Sequence, residues 1–169
     1  NPEYIQNYLK FLENISTFHL RAQKPEAEPE LVERIVQNYG KLFELISGEQ
    51  ELFDNLKTIT EQFRDYCLLF GNFEEANRVF GQIEEIYKRI LKKEPDNRIV
   101  SDHLLSLYEV SGDLYTKLRN IEKTEEIYLR ALDFLNEKLQ RQPGNISYIH
   151  KQREIYQTLS RAFYDENEY

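Results

Sequence analysis

The chain has 169 residues, of which 31% are charged and 13% aromatic, and its formal net charge is −8. This mixture is too apolar for a disordered segment, and its apolar runs are too short to span a membrane. No basic segment is present to match a nucleic-acid backbone. The single cysteine, Cys67, is typical of a reducing compartment, so we expect a cytoplasmic protein that binds neither membrane nor nucleic acid.

A 48-residue period runs through the chain without a gap. At this offset the segment 71–76 superposes on 119–124, and Pro95-Asp96-Asn97 superposes on Pro143-Gly144-Asn145. The same shift superposes apolar positions between these turns, and fixed-period self-similarity is the signature of a repeat protein. The period predicts one repeat domain over 1–169 whose repeats are, in chain order, 1–49 (degenerate), 50–97, 98–145 and 146–169 (a half repeat with only a first helix).

Each complete repeat is predicted to contain two helices. In the third repeat, apolar residues at intervals of three and four predict helices from Arg98 to Leu118 and from Glu122 to Arg141. Pro143 and Gly144 then oppose helix continuation. One such hairpin cannot bury both of its apolar faces, so neighbouring repeats must stack. We therefore predict an all-α helical solenoid of about seven antiparallel helices.

The turn at 71–76, followed by Phe80, resembles a tetratricopeptide repeat. That family places small residues where its two helices cross and a large aromatic residue in each gap. The residues that match these roles are Ala76, Phe80, Gly112, Tyr128 and Ala131. The resemblance implies a right-handed α-α superhelix that acts as a protein-binding scaffold without catalysis.

The sequence departs from the family pattern in three respects. Arg64 stands at the position equivalent to Gly112, and Thr124 replaces the small alanine of the second helix. The period is also longer than that of the family, which is about 34 residues. The excess of about seven residues per helix is close to two full turns, so each apolar face keeps its direction.

The resemblance also implies that the first helix of each repeat lines a concave groove. The residues carried over to this groove are Thr58, Glu61, Asp65, Leu68, Ser106, Glu109, Asp113, Thr116, Gln157, Arg161 and Tyr164; they are called the groove residues below. Chaperone-binding members of the family use Lys, Asn and Arg here, whereas four of these residues are carboxylates. We hypothesise a protein or peptide partner that is basic or amphipathic. The alternative is that the carboxylates only solvate an exposed face.

No residue pattern predicts catalysis or metal binding. His19, His103 and His150 have no Cys or His companion at metal-ligand spacing, and we interpret them as surface or edge histidines. Cys67 superposes on Tyr115 under the 48-residue shift, so we predict a buried apolar role for it. Gly-rich phosphate loops are also missing from the sequence. We expect a protein that is not an enzyme and carries no cofactor.

The tyrosines and the half repeat leave two further hypotheses open. The tyrosines at helical spacing are Tyr66, Tyr87, Tyr108, Tyr115, Tyr128, Tyr156 and Tyr164; we interpret most of them as core residues and a minority as surface-lining. The half repeat predicts an uncovered apolar face for pairing with a second copy across a two-fold axis, formed by Ile149, Tyr156, Leu159 and Phe163. Self-association as a homodimer is thus one alternative function, and a ligand-sensing regulator that uses the aromatic interior is another.

Overall fold

The structure is a computed structural model that describes residues 2–21, 28–45 and 50–167. Over these ranges it is entirely helical, with seven helices and no strand. The helices are α1 (Pro2–Arg21), α2 (Glu28–Leu45), α3 (Gln50–Phe70), α4 (Phe73–Lys93), α5 (Arg98–Lys117), α6 (Ile121–Arg141) and α7 (Ile146–Asn167). The predicted all-α class and helix number are confirmed, and the predicted bounds of α5 and α6 are correct to one residue. Among the described helices, none has the length and apolar character that crossing a membrane requires.

The chain divides into two compact units, and the division falls inside α5. The N-terminal unit comprises Asn1–Leu107 and the C-terminal unit comprises Tyr108–Tyr169. This division does not follow the 48-residue period, although the helix bounds do. The single repeat domain over 1–169 therefore stays a prediction.

The turns that close the second and third repeats have the same backbone geometry. Glu94 and Gln142 end α4 and α6 with φ of −129° and −134°, and each donates its backbone N–H to the carbonyl four residues earlier at 2.9 Å. Asn97 and Asn145 then begin the next helices, where their side-chain oxygens accept from the backbone N–H groups of Val100 at 3.0 Å and Tyr148 at 3.2 Å. Both are N-caps that satisfy a free donor of the first turn. The 48-residue period is thus present in the hydrogen bonds as well as in the sequence.

The turns within the second and third repeats share a left-handed residue. Gly71 has φ of 77°, and Arg119, which superposes on it one period later, has φ of 56°. Such a residue commonly ends a helix, and glycine adopts it without strain because it has no Cβ. Arg119 takes the conformation at a steric cost of roughly 1–2 kcal/mol.

The N-terminal unit is held together by a set of aromatic rings from α2, α3 and α4. α2 packs against α1, α3 and α4, and α3 packs against α4. Phe53 of α3 lies at the centre, with ring centroids 4.4 Å from Phe43 of α2 and 6.1 Å from Tyr87 of α4. Farther along α3, Phe63 meets the edge of Phe80 of α4 at 6.2 Å. These pairs contribute about 0.5–1.5 kcal/mol each beyond the burial of their area.

In the C-terminal unit, α6 packs against α7, and its aromatic residue Tyr128 packs against α5. Gly112 of α5 lies directly under the Tyr128 ring, where a Cβ atom would be 2.5 Å from the ring carbon Cζ. The glycine therefore permits a close approach of the two helices, the role predicted for it from the family resemblance. Ala131 and Leu135 of α6 are fully buried in the same unit.

The tyrosines divide largely as predicted. Five of the seven are buried, and two on α7 are exposed. The buried ones are Tyr66, Tyr87, Tyr108, Tyr115 and Tyr128, and the exposed ones are Tyr156 and Tyr164. Burial raises the pKa of Tyr128 to about 12, an effect to which the charges of Asp113 and Glu109 add. Most of the tyrosines are therefore core residues whose ring area stabilises the helix pairs.

Candidate interaction surfaces

The groove residues of the N-terminal unit lie on the accessible side of α3 and α5. They are Thr58, Glu61, Asp65, Leu68 and Ser106. Thr58 and Asp65 are exposed, and the other three are half-buried. The α3 members recur at intervals of three and four, so they share one helix face. The opposite face of α3 carries the buried residues Phe53 and Phe63.

The groove residues of the C-terminal unit are also accessible. They are Glu109, Asp113 and Thr116 on α5, and Gln157, Arg161 and Tyr164 on α7. The three on α5 are half-buried and the three on α7 are exposed. Thr116 donates its hydroxyl proton to the Gly112 carbonyl at 2.8 Å, so part of its side-chain hydrogen bonding is used inside the helix.

The two groove carboxylates of the N-terminal unit each have a nearby cation. Glu61 lies 3.9 Å from the ammonium of Lys57, and Asp65 accepts from the Arg64 guanidinium at 2.7 Å. Exposed pairs of this kind contribute about 0–1 kcal/mol, because water screens both charges. Their effect here is on the surface potential, because each carboxylate has a positive charge within 4 Å.

The two groove carboxylates of the C-terminal unit are paired as well. Asp113 accepts from Lys117 at 2.8 Å, and Glu109 accepts a short hydrogen bond from Lys151 of α7. Burial lowers the pKa of Lys151, but the hydrogen bond and charge of Glu109 outweigh it, so the net shift is upward and the ammonium is retained. A simple count of acidic residues on the first helices therefore overstates the negative potential of this surface.

His103 corrects one interpretation made from the sequence. It is buried in the N-terminal unit, not at a surface or edge, with its ring 5.5 Å from Phe53 and 6.3 Å from Tyr87. Nε2 lies 3.4 Å from the carboxylate of Asp54, and Nδ1 is buried without a hydrogen-bond partner. Burial lowers the pKa of His103, and the Asp54 charge offsets only part of this effect. The imidazole is therefore a neutral core group at pH 7.

The other histidines and the cysteine have different environments. His150 is exposed, and the side chain of His19 lies outside the described residues. Cys67 is fully buried, as predicted, and burial together with the Glu75 charge raises its pKa to about 12. A thiol with this pKa is not a nucleophile at pH 7. In the described part of the chain, no three His, Cys, Asp or Glu side chains come together as a metal site.

The predicted self-association residues of α7 divide between core and surface. Ile149 and Tyr156 are exposed by 44% and 54%, and Phe163 is half-buried. Leu159 is only 8% exposed, so it belongs to the core of the C-terminal unit and adds little to the outer surface. Ile149, Tyr156 and Phe163 are seven residues apart and share one face; they are called the α7 stripe below.

A second exposed apolar surface was missed by the sequence analysis. On α1, Tyr4, Tyr8 and Phe11 are exposed by 73%, 37% and 58%, and they are called the α1 stripe below. Leu9 and Leu12 of the same helix are buried, and α1 packs against α2. The spacing of four and three places the stripe on one side of the helix.

The N-terminal unit also contains a pocket of about 620 Å³ between the C-terminal ends of α2 and α4. Its apolar lining includes Phe43, Ile86 and Ile90. At its rim, Arg89 and Glu44 form an ion pair of 3.0 Å.

Comparison with known proteins informs the fold alone. No protein-family model matches the chain, and no curated protein matches it either. Among solved structures, the chain is similar to the designed DHF119 filament, with 13% sequence identity and a TM-score of 0.61. The similarity covers 95% of this chain and 80% of that chain. At this identity, the comparison supports an all-helical arrangement of consecutive helices and carries no statement of activity.

Proposed function

We propose that the protein is a non-catalytic interaction scaffold of the tetratricopeptide type, which binds a peptide or protein on the accessible faces of its first helices. The observation that carries the proposal is that none of the eleven groove residues is buried, although α3, α5 and α7 each bury their other side. The close approach at Gly112 and Tyr128 supports the family resemblance. Placement in the cytoplasm belongs to the same proposal.

An amphipathic partner suits this surface better than a strongly basic one. Glu61, Asp65, Glu109 and Asp113 already have cations within 4 Å. A basic ligand would exchange one solvated ion pair for another, with a gain of about 0–1 kcal/mol per pair. Apolar contacts with Leu68 in the N-terminal unit, or with Tyr164 in the C-terminal unit, would then supply most of the affinity, and the carboxylates of the same unit would set orientation and on-rate.

The proposal is tested with fluorescently labelled amphipathic peptides of equal length that carry a basic, neutral or acidic polar face. We expect fluorescence anisotropy to detect binding of the neutral and basic peptides. The double variant Glu61→Lys/Asp113→Lys should weaken the basic peptide about tenfold, which corresponds to about 1.4 kcal/mol. The matched control is Glu85→Lys/Glu125→Lys, which makes the same change in charge at two exposed second-helix positions.

Two results would contradict the groove hypothesis. One is that no peptide of the panel binds. The other is that the groove variant and the control variant change affinity equally, since net charge and not position would then explain the effect. Circular dichroism spectra of both variants establish that the helices are retained.

Self-association is the second candidate function, and the exposed α7 stripe favours it. Ile149 and Tyr156 each leave about half of an apolar side chain in water. Large apolar side chains that are exposed on one face of a helix are candidates for an interaction site. The homodimer that was hypothesised from the sequence needs a revised surface, however, because Leu159 is in the core.

A further inference from the structure

The α7 stripe is exposed at positions that are buried in the other first helices. Shifting Ile149 and Tyr156 back by one period gives Ser101 and Tyr108 of α5, and a second period back gives Phe53 and Thr60 of α3; all four are buried. Phe163, which is half-buried, likewise corresponds to the buried residues Tyr115 and Cys67. The face that carries the stripe is therefore covered by other helices in α3 and α5, whereas in α7 it is largely exposed to solvent.

The contacts of Phe53 identify what covers this face. The ring lies against Phe43 of α2, which precedes α3, and also against Tyr87 of α4 and His103 of α5, which follow it. α7 packs against α6, the helix that precedes it. The open side of α7 is thus the one that, in α3, is covered by helices later in the chain.

The α1 stripe is likewise exposed at positions that another first helix buries. Tyr4, Tyr8 and Phe11 correspond, one period later, to positions in α3 that are all buried: Leu52, Leu56 and Ile59. In α3 these positions lie in a helix against which both α1 and α2 are packed. α1 therefore exposes a face that α3 buries.

The α1 stripe also has the spacing with which a second helix covers a first helix. Phe80 and Tyr87 of α4, which are seven residues apart, contact the rings of Phe63 and Phe53 of α3. Tyr4 and Phe11 are likewise seven residues apart and aromatic, with Tyr8 between them. α1 thus presents to solvent an aromatic face like the one with which α4 covers α3. α7 presents to solvent the kind of face that such a helix covers.

We propose that the chain associates head to tail with further copies of itself, so that the α7 stripe of one copy binds the α1 stripe of the next. This inference rests on the self-association candidate and replaces its two-fold pairing by a contact between two different surfaces. In general, heterologous contacts of this kind generate rings or open filaments.

The contact is weak between isolated copies. Each stripe offers three side chains, and a fully buried aromatic residue removes roughly 150–250 Å² from water. All six side chains are already partly buried, so the area that they would remove together lies near or below the lower end of the ~1,200–2,000 Å² of stable complexes. Association is therefore sought by sedimentation velocity at chain concentrations up to about 1 mM, where contacts of a few kcal/mol become populated.

Two single variants separate the two ends. Tyr156→Glu blocks the α7 stripe and leaves α1 intact, whereas Phe11→Glu blocks the α1 stripe and leaves α7 intact. Both positions are more than half exposed, so the folded unit tolerates the charge. The matched control is Leu69→Glu, which places the same charge on an exposed leucine of α3 outside both stripes.

We expect the wild type and Leu69→Glu to form dimers, trimers and longer species with rising concentration. Each blocked variant alone should be monomeric, and an equimolar mixture of the two should form a 1:1 dimer and nothing longer. If Phe11→Glu dimerises as well as the wild type while Tyr156→Glu does not, the α7 surface pairs with itself and head-to-tail assembly is wrong. A wild type that stays monomeric at every concentration overturns self-association altogether, and the peptide-binding proposal is unaffected by either result.

Discussion

Gly112→Ala is the most direct test of the packing in the C-terminal unit. The added Cβ would lie 2.5 Å from Cζ and 2.9 Å from Cε1 and Cε2 of Tyr128, a ring that is 5% exposed. Carbon atoms in contact are normally about 3.5–4.0 Å apart, so the ring or the helix must shift by about 1 Å. Overpacking of a core costs about 1–3 kcal/mol, and the higher helix propensity of alanine returns at most about 1 kcal/mol. We expect a net loss of about 1–2 kcal/mol.

The control for this experiment is Gly81→Ala in α4. Nothing lies within 4 Å of the Cβ that this substitution adds, so helix propensity acts alone and stability should rise by up to about 1 kcal/mol. The free energy of unfolding is measured by urea titration with circular dichroism detection. A double variant with Tyr128→Leu should recover part of the loss, because the two positions are in contact and their effects are coupled. If Gly112→Ala stabilises the chain as much as Gly81→Ala does, the close helix approach is refuted.

Two further predictions concern buried titratable groups. The folded-state pKa of His103 is below its ordinary value of 6.5, so the unfolded chain takes up the proton first and stability falls as the pH drops below about 6.5. The variant His103→Phe should therefore show a smaller loss of stability between about pH 7.5 and 5.5 in thermal melts. Equal pH dependence of the wild type and His103→Phe would contradict the neutral buried imidazole. Cys67 is buried and has a pKa of about 12, so at pH 8 it should react with a thiol reagent such as dithiobis-nitrobenzoate at least about tenfold more slowly in the native chain than in urea. Rapid labelling of the native chain would show that the thiol is accessible and would contradict its burial.

The helices were predictable because their signals are local. Pro95 and Pro143 end apolar patterns of period 3.6, and each is followed two residues later by an asparagine that caps the next helix. The ion pairs of Glu61 with Lys57 and of Asp113 with Lys117 are four residues apart, so their partners also stood in the sequence. The partner of Glu109 is 42 residues away, and only the packing of α7 brings Lys151 to it.

The errors arose where burial depends on other helices. His103 is buried because Phe53 and Tyr87, from two other helices, lie against its ring. Its spacing of three and four from Val100 and Leu107 places it on the apolar face of α5, a signal that the search for metal-ligand spacing did not use. The α1 stripe was not recognised because Tyr8 and Phe11 superpose on the core residues Leu56 and Ile59. Periodicity identifies the face that a helix can bury, but it does not say whether a neighbour is present to cover it.

The matching turns at 94–97 and 142–145 give the segment 98–145 the same connecting geometry before its first residue and at its last. Glu94 and Gln142 have the same cap geometry, and Asn97 and Asn145 make the same capping bond. A tandem duplication of 98–145 would join Asn145 to a second Arg98 through a turn that the chain already uses. Gene duplication could therefore lengthen this protein by whole repeats without a new connector having to evolve at the junction.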